Sequence, residues 1–442
     1  TAVGKFALDS NTTGNHNTAV GNNAGTAVTT GSDNAIYGSY AGDALTTGSR
    51  NTFLGNNAGG STTTTSGNVA IGNNALLSAT NAGENTVIGC YAGDALTSGS
   101  NNVALGYHTL TTSTTASNNI AIGSNAGELI STGAENTIIG TYAGDQLDTG
   151  SNNTAIGRAA LGTATTASDT TSVGCFALLV NTASGNTAVG KDSLKANTSA
   201  EKNTALGLWA GRAMTTGGFN TAIGAYSVDN CTTGTYNTGV GVWAIRSLTT
   251  GNFNTGIGGT ALQLLSTGSN NTGVGYQALY SSTSAERNTA LGVRAGYNLT
   301  TGNDNIAIGY KALDTGSTAT LNVAIGTEAL EHKTGNGSTA IGYQSLEYCT
   351  SGNNCTFVGR NSGNLITSGA DNTGIGENAG YTTTTGSNNT SLGHDAVATS
   401  ATASNEVTLG NSSVSALRCQ VTSITSLSDR RDKTDINTLD LG

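Results

Sequence analysis

The stretch "NTAIGAYS", residues 220–227, decides the fold, because its first five letters return along nearly the whole chain. Aligning the relatives of "NTAIG" puts their closing glycine at 25 places, from Gly4 and Gly21 through Gly224 to Gly393 and Gly410. Of the 24 intervals, 22 are 17 residues long and two are 16, Gly174 to Gly190 and Gly326 to Gly342. A fixed period of this size marks a solenoid, in which one repeat cannot bury its apolar face alone and does so by stacking on its neighbours. Helical solenoids need longer units and apolar residues three and four apart. Here the apolar pattern has period two and ends in a glycine turn. The reading is therefore all-β, a parallel β-solenoid over residues 1–410. With ~4.8 Å between strands, 24 steps make a rod roughly 115 Å long.

The columns of the repeat carry the physics. The residue before the closing glycine is Val, Ile or Leu in 24 of 25 repeats, with Tyr37 the exception, and it is read as core. Two residues earlier stands Thr in 18 of 25, on the same strand face. The residue between them is mostly Ala or Gly, as in Ala19, Ala70, Gly239 and Gly374, and points the other way. An uncharged stripe of small residues would then run along the outside of the rod, and burial between copies of the chain is expected to cover it. Four before the glycine, Asn occupies 20 of 24 complete repeats, which predicts a ladder of stacked amides bonding along the axis. A periodic glycine predicts a positive φ or a close backbone approach at each corner.

Composition agrees with repetition. The 442 residues include 64 Gly and no Pro and are only 10 % charged, yet 36 % are hydrophobic, too many for a disordered chain. A net charge of -10, with 17 Lys and Arg in all, excludes nucleic acid as an expected partner. No run of 18 apolar residues predicts membrane insertion, and "TAVGKFALDS" at residues 1–10 has no signal-peptide pattern. The chain opens inside a repeat, so residues preceding Thr1 are expected in the natural protein.

Candidate sites are few. The cysteines, Cys90, Cys175, Cys231, Cys349, Cys355 and Cys419, form no C-x-x-C pair and are read as small apolar substitutes. Only Cys349 and Cys355 are near enough in sequence to suggest a bridge. "GVGVWA" at 239–244 and "GIGGTA" at 256–261 look like dinucleotide fingerprints, but the repeat itself generates such glycine pairs, and no cofactor is expected. His16, His108, His332 and His394 fall in distant repeats and are read as surface residues without a metal. Tyr40, Tyr91 and Tyr142, with Asp43, Asp94 and Asp145, recur every 51 residues. They suit a glycan edge but are better explained by an ancestral duplication, and no neighbouring repeats offer a persuasive carboxylate pair for hydrolysis. Ice binding needs ranks of outward Thr. The main Thr column is read as inward and the corner "TTG" threonines as irregular, so it is not expected.

The phrases "NTAIGAYS", "NVAIGNNA" (68–75) and "NTALGLWA" (203–210) resemble the N-S-V-A-I-G repeats in the heads of trimeric autotransporter adhesins, which implies a β-roll assembled as a trimer. The charged end, "LSDRRDKTDINTLDLG" (427–442), resembles the start of the self-cleaving C-terminal intramolecular chaperone of phage tail fibres and tail spikes. Ser428, Asp429, Arg431, Lys433, Asp435 and Ile436 match that motif. The resemblance implies a homotrimer templated by the chaperone, and cleavage at Ser428 with Lys433 as the base that takes its proton. A serine hydroxyl needs such a base, and a lysine of lowered pKa supplies one. The expected organisation is a shaft over 1–410, a transition over 411–427 and a truncated chaperone start over 428–442. The expected role is mechanical, a virion fibre reaching a host receptor or glycan. The alternative is a bacterial surface adhesin or filament with the same repeat.

Overall fold

The structure, a computed structural model, describes residues 1–416 and 418. Twenty-five strands run from Ala2–Val3 to Val407–Leu409, all but the first three residues long, and no helix occurs among the described residues. Each strand pairs in parallel with the next, one repeat on. Thr221, Ala222 and Ile223 lie beside Thr238, Gly239 and Val240, which lie beside Thr255, Gly256 and Ile257. Both 16-residue repeats keep this register, with Thr171 against Thr187 and Val323 against Thr339, so the missing residue is absorbed in the turns.

The alternation along the strand is as expected, but its sense is reversed. The small middle residue faces the core, and the threonine and aliphatic on either side face out. Ala19, Ala222 and Ala340 are fully buried, whereas Leu206 is 47 % exposed and Ile375 49 %. A rung of 17 residues encloses a narrow interior, and its far wall already supplies large side chains such as Leu45, Leu96, Ile130, Leu248 and Leu265. In most rungs only a methyl group or a glycine fits on the strand beside them. Close packing makes every added atom count.

Volume exchange between columns follows from this. Five rungs carry a large inner strand residue, namely Ile36, Phe53, Val87, Ile138 and Phe357, and each has Gly four residues after its closing glycine, where Leu is common elsewhere. A Cβ on Gly59 would lie 2.6 Å from the Phe53 ring, and one on Gly363 would lie 2.7 Å from Phe357. Ring and glycine form one packing unit.

The closing glycines have φ between 116° and 144° from Gly4 to Gly393, and a Cβ there would run into the backbone of the next rung. Left-handed backbone also recurs five residues before the closing glycine and two after it, where Asn and Asp are frequent, as in Asp33, Asn101, Asn57 and Asn74.

The asparagine ladder is present. Asn254 Oδ1 accepts from the Asn271 backbone N–H (3.0 Å) and from Asn271 Nδ2 (3.1 Å), while Asn254 Nδ2 donates to the Gly268 carbonyl (2.9 Å). Each buried amide therefore satisfies a backbone donor above it and a carbonyl at the corner. A second ladder runs through the "TTG" corner, where the hydroxyls of Thr215, Thr232 and Thr249 each donate to the next rung's carbonyl at 2.9–3.1 Å. That corner is regular, contrary to the sequence reading. The five described cysteines are free thiols, with Cys231, Cys349 and Cys355 in the core.

Candidate functional site

The outward face of the strand stack runs through all 25 described strands. The position three before the closing glycine is Thr in 18 repeats and the position one before it is aliphatic in 24, and the parallel register aligns each column along the rod. No residue of the described strands is charged. Among the described residues, none of these outward threonine hydroxyls makes a hydrogen bond within the protein, in contrast to those of the "TTG" corner. The face is a periodic sheet of free hydroxyls and apolar groups, with Leu54, Leu206, Ile257 and Leu291 all prominently exposed. Sequence reasoning placed the wrong columns on it. The large inner residues paired with glycine were the signal that could have set the direction.

The other candidates separate clearly. Ser428 and Lys433 lie outside the described residues. "GVGVWA" and "GIGGTA" each span the end of one strand and the following turn, and the chain goes on to a parallel strand of the next rung without a helix, so the phosphate-cradling context is missing. Tyr40, Tyr91 and Tyr142 are exposed on one side of the rod, three rungs apart. Beside them Asp43, Asp94 and Asp145 are half-buried. Burial pushes all three carboxyls up, Asp145 to about 6, with the nearby Glu128 carboxylate adding to the effect. Three rungs separate successive Asp residues by roughly 14 Å, too far for paired-carboxylate chemistry.

Aromatic residues concentrate in the middle of the rod. Phe219, Tyr236 and Phe253 stack along the axis with centroids 4.9 and 5.2 Å apart and planes within 9°. Lys202 caps the stack 5.2 Å from the Phe219 ring, so both faces of Phe219 and of Tyr236 are occupied by neighbours along the axis. Trp209 is covered by the Arg212 guanidinium at 4.2 Å, which also pairs with Asp229 at 3.1 Å. These are ladders that add rung-to-rung attraction, in the way cross-strand aromatic pairs do in sheets.

The fold defines the class, a parallel β-solenoid of about 24 turns. Neither a family model nor a curated protein matches the chain.

Proposed function

We propose that this chain is the shaft of an extracellular fibre, a rod that associates side by side as a homotrimer through its outward strand face. The observation that carries the reading is that face itself, uncharged and half apolar from one end of the stack to the other in a chain of net charge -10. An apolar stripe of that length is costly to leave in water and suits burial against a copy with the same periodicity. The C-terminal resemblance supports a phage tail fibre that reaches a host receptor or glycan, trimerised by a chaperone in which Ser428 attacks and Lys433 is the base. The same fibre could serve as a bacterial surface adhesin. A baseplate-attachment domain encoded upstream of Thr1 supports the virus, and a secretion signal the cell.

The test is native and denatured intact mass of the full chain. The expected result is a trimer whose chains are shortened near residue 427, and full-length chains for Ser428→Ala. The double substitution Leu206→Lys, Ile257→Lys is expected to weaken the trimer without changing the circular dichroism of the rod. A monomer of unchanged length overturns both the assembly and the chaperone reading.

The unbonded outward threonines favour one second reading, ice binding. Their hydroxyls repeat at ~4.8 Å between rungs and alternate with aliphatic groups ~6.7 Å along the strand, a lattice on which water can order in an ice-like layer. Thermal hysteresis by the monomer, lost in Thr221→Lys, Thr238→Lys, would establish it. A trimer with no hysteresis ends it, since both readings use the same face.

A further inference from the structure

We propose that Glu331, His332 and Glu347 bind a zinc-class divalent cation that staples two neighbouring rungs. One ligand atom from each of the three residues lies within 4.8 Å of the other two. Glu331 and Glu347 are only 8 % and 7 % exposed, each five residues after its closing glycine, on consecutive rungs joined by the 16-residue repeat. His332 is half-buried, and its ring stacks on Tyr348 with centroids 5.5 Å apart.

The charges around this corner point to a cation. On the preceding rungs, a cation two residues after one closing glycine pairs with an anion five residues after the next. Arg294 meets Asp314 at 2.9 Å, and Lys311 meets Glu331 at 3.1 Å. The following step breaks the rule. Glu328 stands in the cation's column and Glu347 in the anion's, so that of the three carboxylates Glu328, Glu331 and Glu347 only Glu331 has an ion pair among the described residues, with Lys311. Gln344 occupies one Glu328 oxygen (2.9 Å) and Asn364 one Glu347 oxygen (2.8 Å), and neither brings positive charge. Lys333 does not help, because it turns into the core and donates to the Gly352 carbonyl.

Imidazole with carboxylates is the donor set of a zinc-class ion. A tetrahedral ion with bonds of ~2.0–2.1 Å holds its ligand atoms about 3.3 Å apart. The three side chains need to close by roughly 1.5 Å, which glutamate rotamers allow. Water completes the shell. With two ligands on one rung and one on the next, the ion would bridge the rungs. The inference rests on the folded solenoid alone and goes beyond the fibre reading.

The experiment is calorimetric titration of the full chain, stripped with chelator, with Zn2+, alongside Co2+ followed by visible absorption. One Zn2+ per chain is expected, with a cobalt spectrum of four-coordinate type. His332→Ala is expected to weaken binding by more than the roughly 10–100-fold that loss of a supporting partner costs, while His394→Ala, on a distant exposed residue, leaves it unchanged. Glu347→Gln keeps the shape and carries the test if the histidine variant fails to fold by circular dichroism. No saturable uptake, uptake unchanged in both His332→Ala and Glu347→Gln, or preference for Ca2+ overturns the proposal.

Discussion

Gly224→Val is expected to divide the rod into two independently unfolding pieces. Gly224 has φ of +122°, and an added Cβ would sit 2.6 Å from the Gly241 carbonyl oxygen and 2.7 Å from its carbon, both backbone atoms that no rotamer can move. A β-branched residue is also poorly tolerated at positive φ. The rungs must separate there, which strains the ladder bond from the Gly241 N–H to the Ile223 carbonyl (2.7 Å). The combined cost is about 3–5 kcal/mol, the range of severe single substitutions. In a solenoid, stability is a sum of rungs and nearest-neighbour interfaces, so the damage stays local and interrupts cooperativity. Hydrogen exchange should show lost protection around residues 221–245 with both arms still protected, and denaturation should resolve two transitions. Gly185→Asn is the control. Its φ is +72°, its surroundings are open, and Asn101 and Asn118 hold the same turn position elsewhere. A shift within about 0.5 kcal/mol is expected there. A single, unshifted transition for Gly224→Val would refute the close-approach argument.

Asn254→Ala is expected to cost about 3–4 kcal/mol, far more than its small loss of volume suggests. The change removes the acceptor for the buried Asn271 N–H and the donor for the Gly268 carbonyl, and it breaks the amide chain from Asn237 to Asn271. Two orphaned backbone groups at roughly 1–3 kcal/mol each account for most of the effect. Asn254→Asp keeps the acceptor but buries a charge without a partner, and should be at least as harmful at neutral pH. Protection of the Asn271 amide by hydrogen exchange reads the local loss directly, and a fall below about 1 kcal/mol for the alanine variant would mean that water replaces the side chain.

The ladder was legible because one letter in one column is enough to specify it. Asn recurring at a fixed spacing comes within bonding reach of the Asn above and below once the strands lie parallel and in register. The same holds for the closing glycine, whose spacing predicted a positive φ or a close backbone approach, and both are present. The C-terminal resemblance named Ser428 and Lys433, and both fall outside the described residues.

The acidic corner was not legible, for a specific reason. Glu331 and Glu347 belong to consecutive rungs separated by one of the two short repeats, so a fixed 17-residue offset never superposes them. Their neighbour His332, read as a surface histidine, gains its setting only from the rung above.

The sequence by itself determined the period, the parallel strand stack, the glycine corners and the amide ladder, because each depends on spacing along the chain and on backbone geometry that any stacked rung must satisfy. Only the tertiary structure decided which strand face is inside. Period two says that Thr221 and Ile223 lie opposite Ala222, and it is silent on which of the two faces meets the core. The rule that large apolar residues go inward pointed the wrong way, because the coil is narrow and its far wall brings its own leucines. In most rungs the space left admits only a methyl group, and a larger inner residue is taken only where a glycine makes room, so the aliphatic and threonine columns are turned outward, where they form the face on which the proposed association depends.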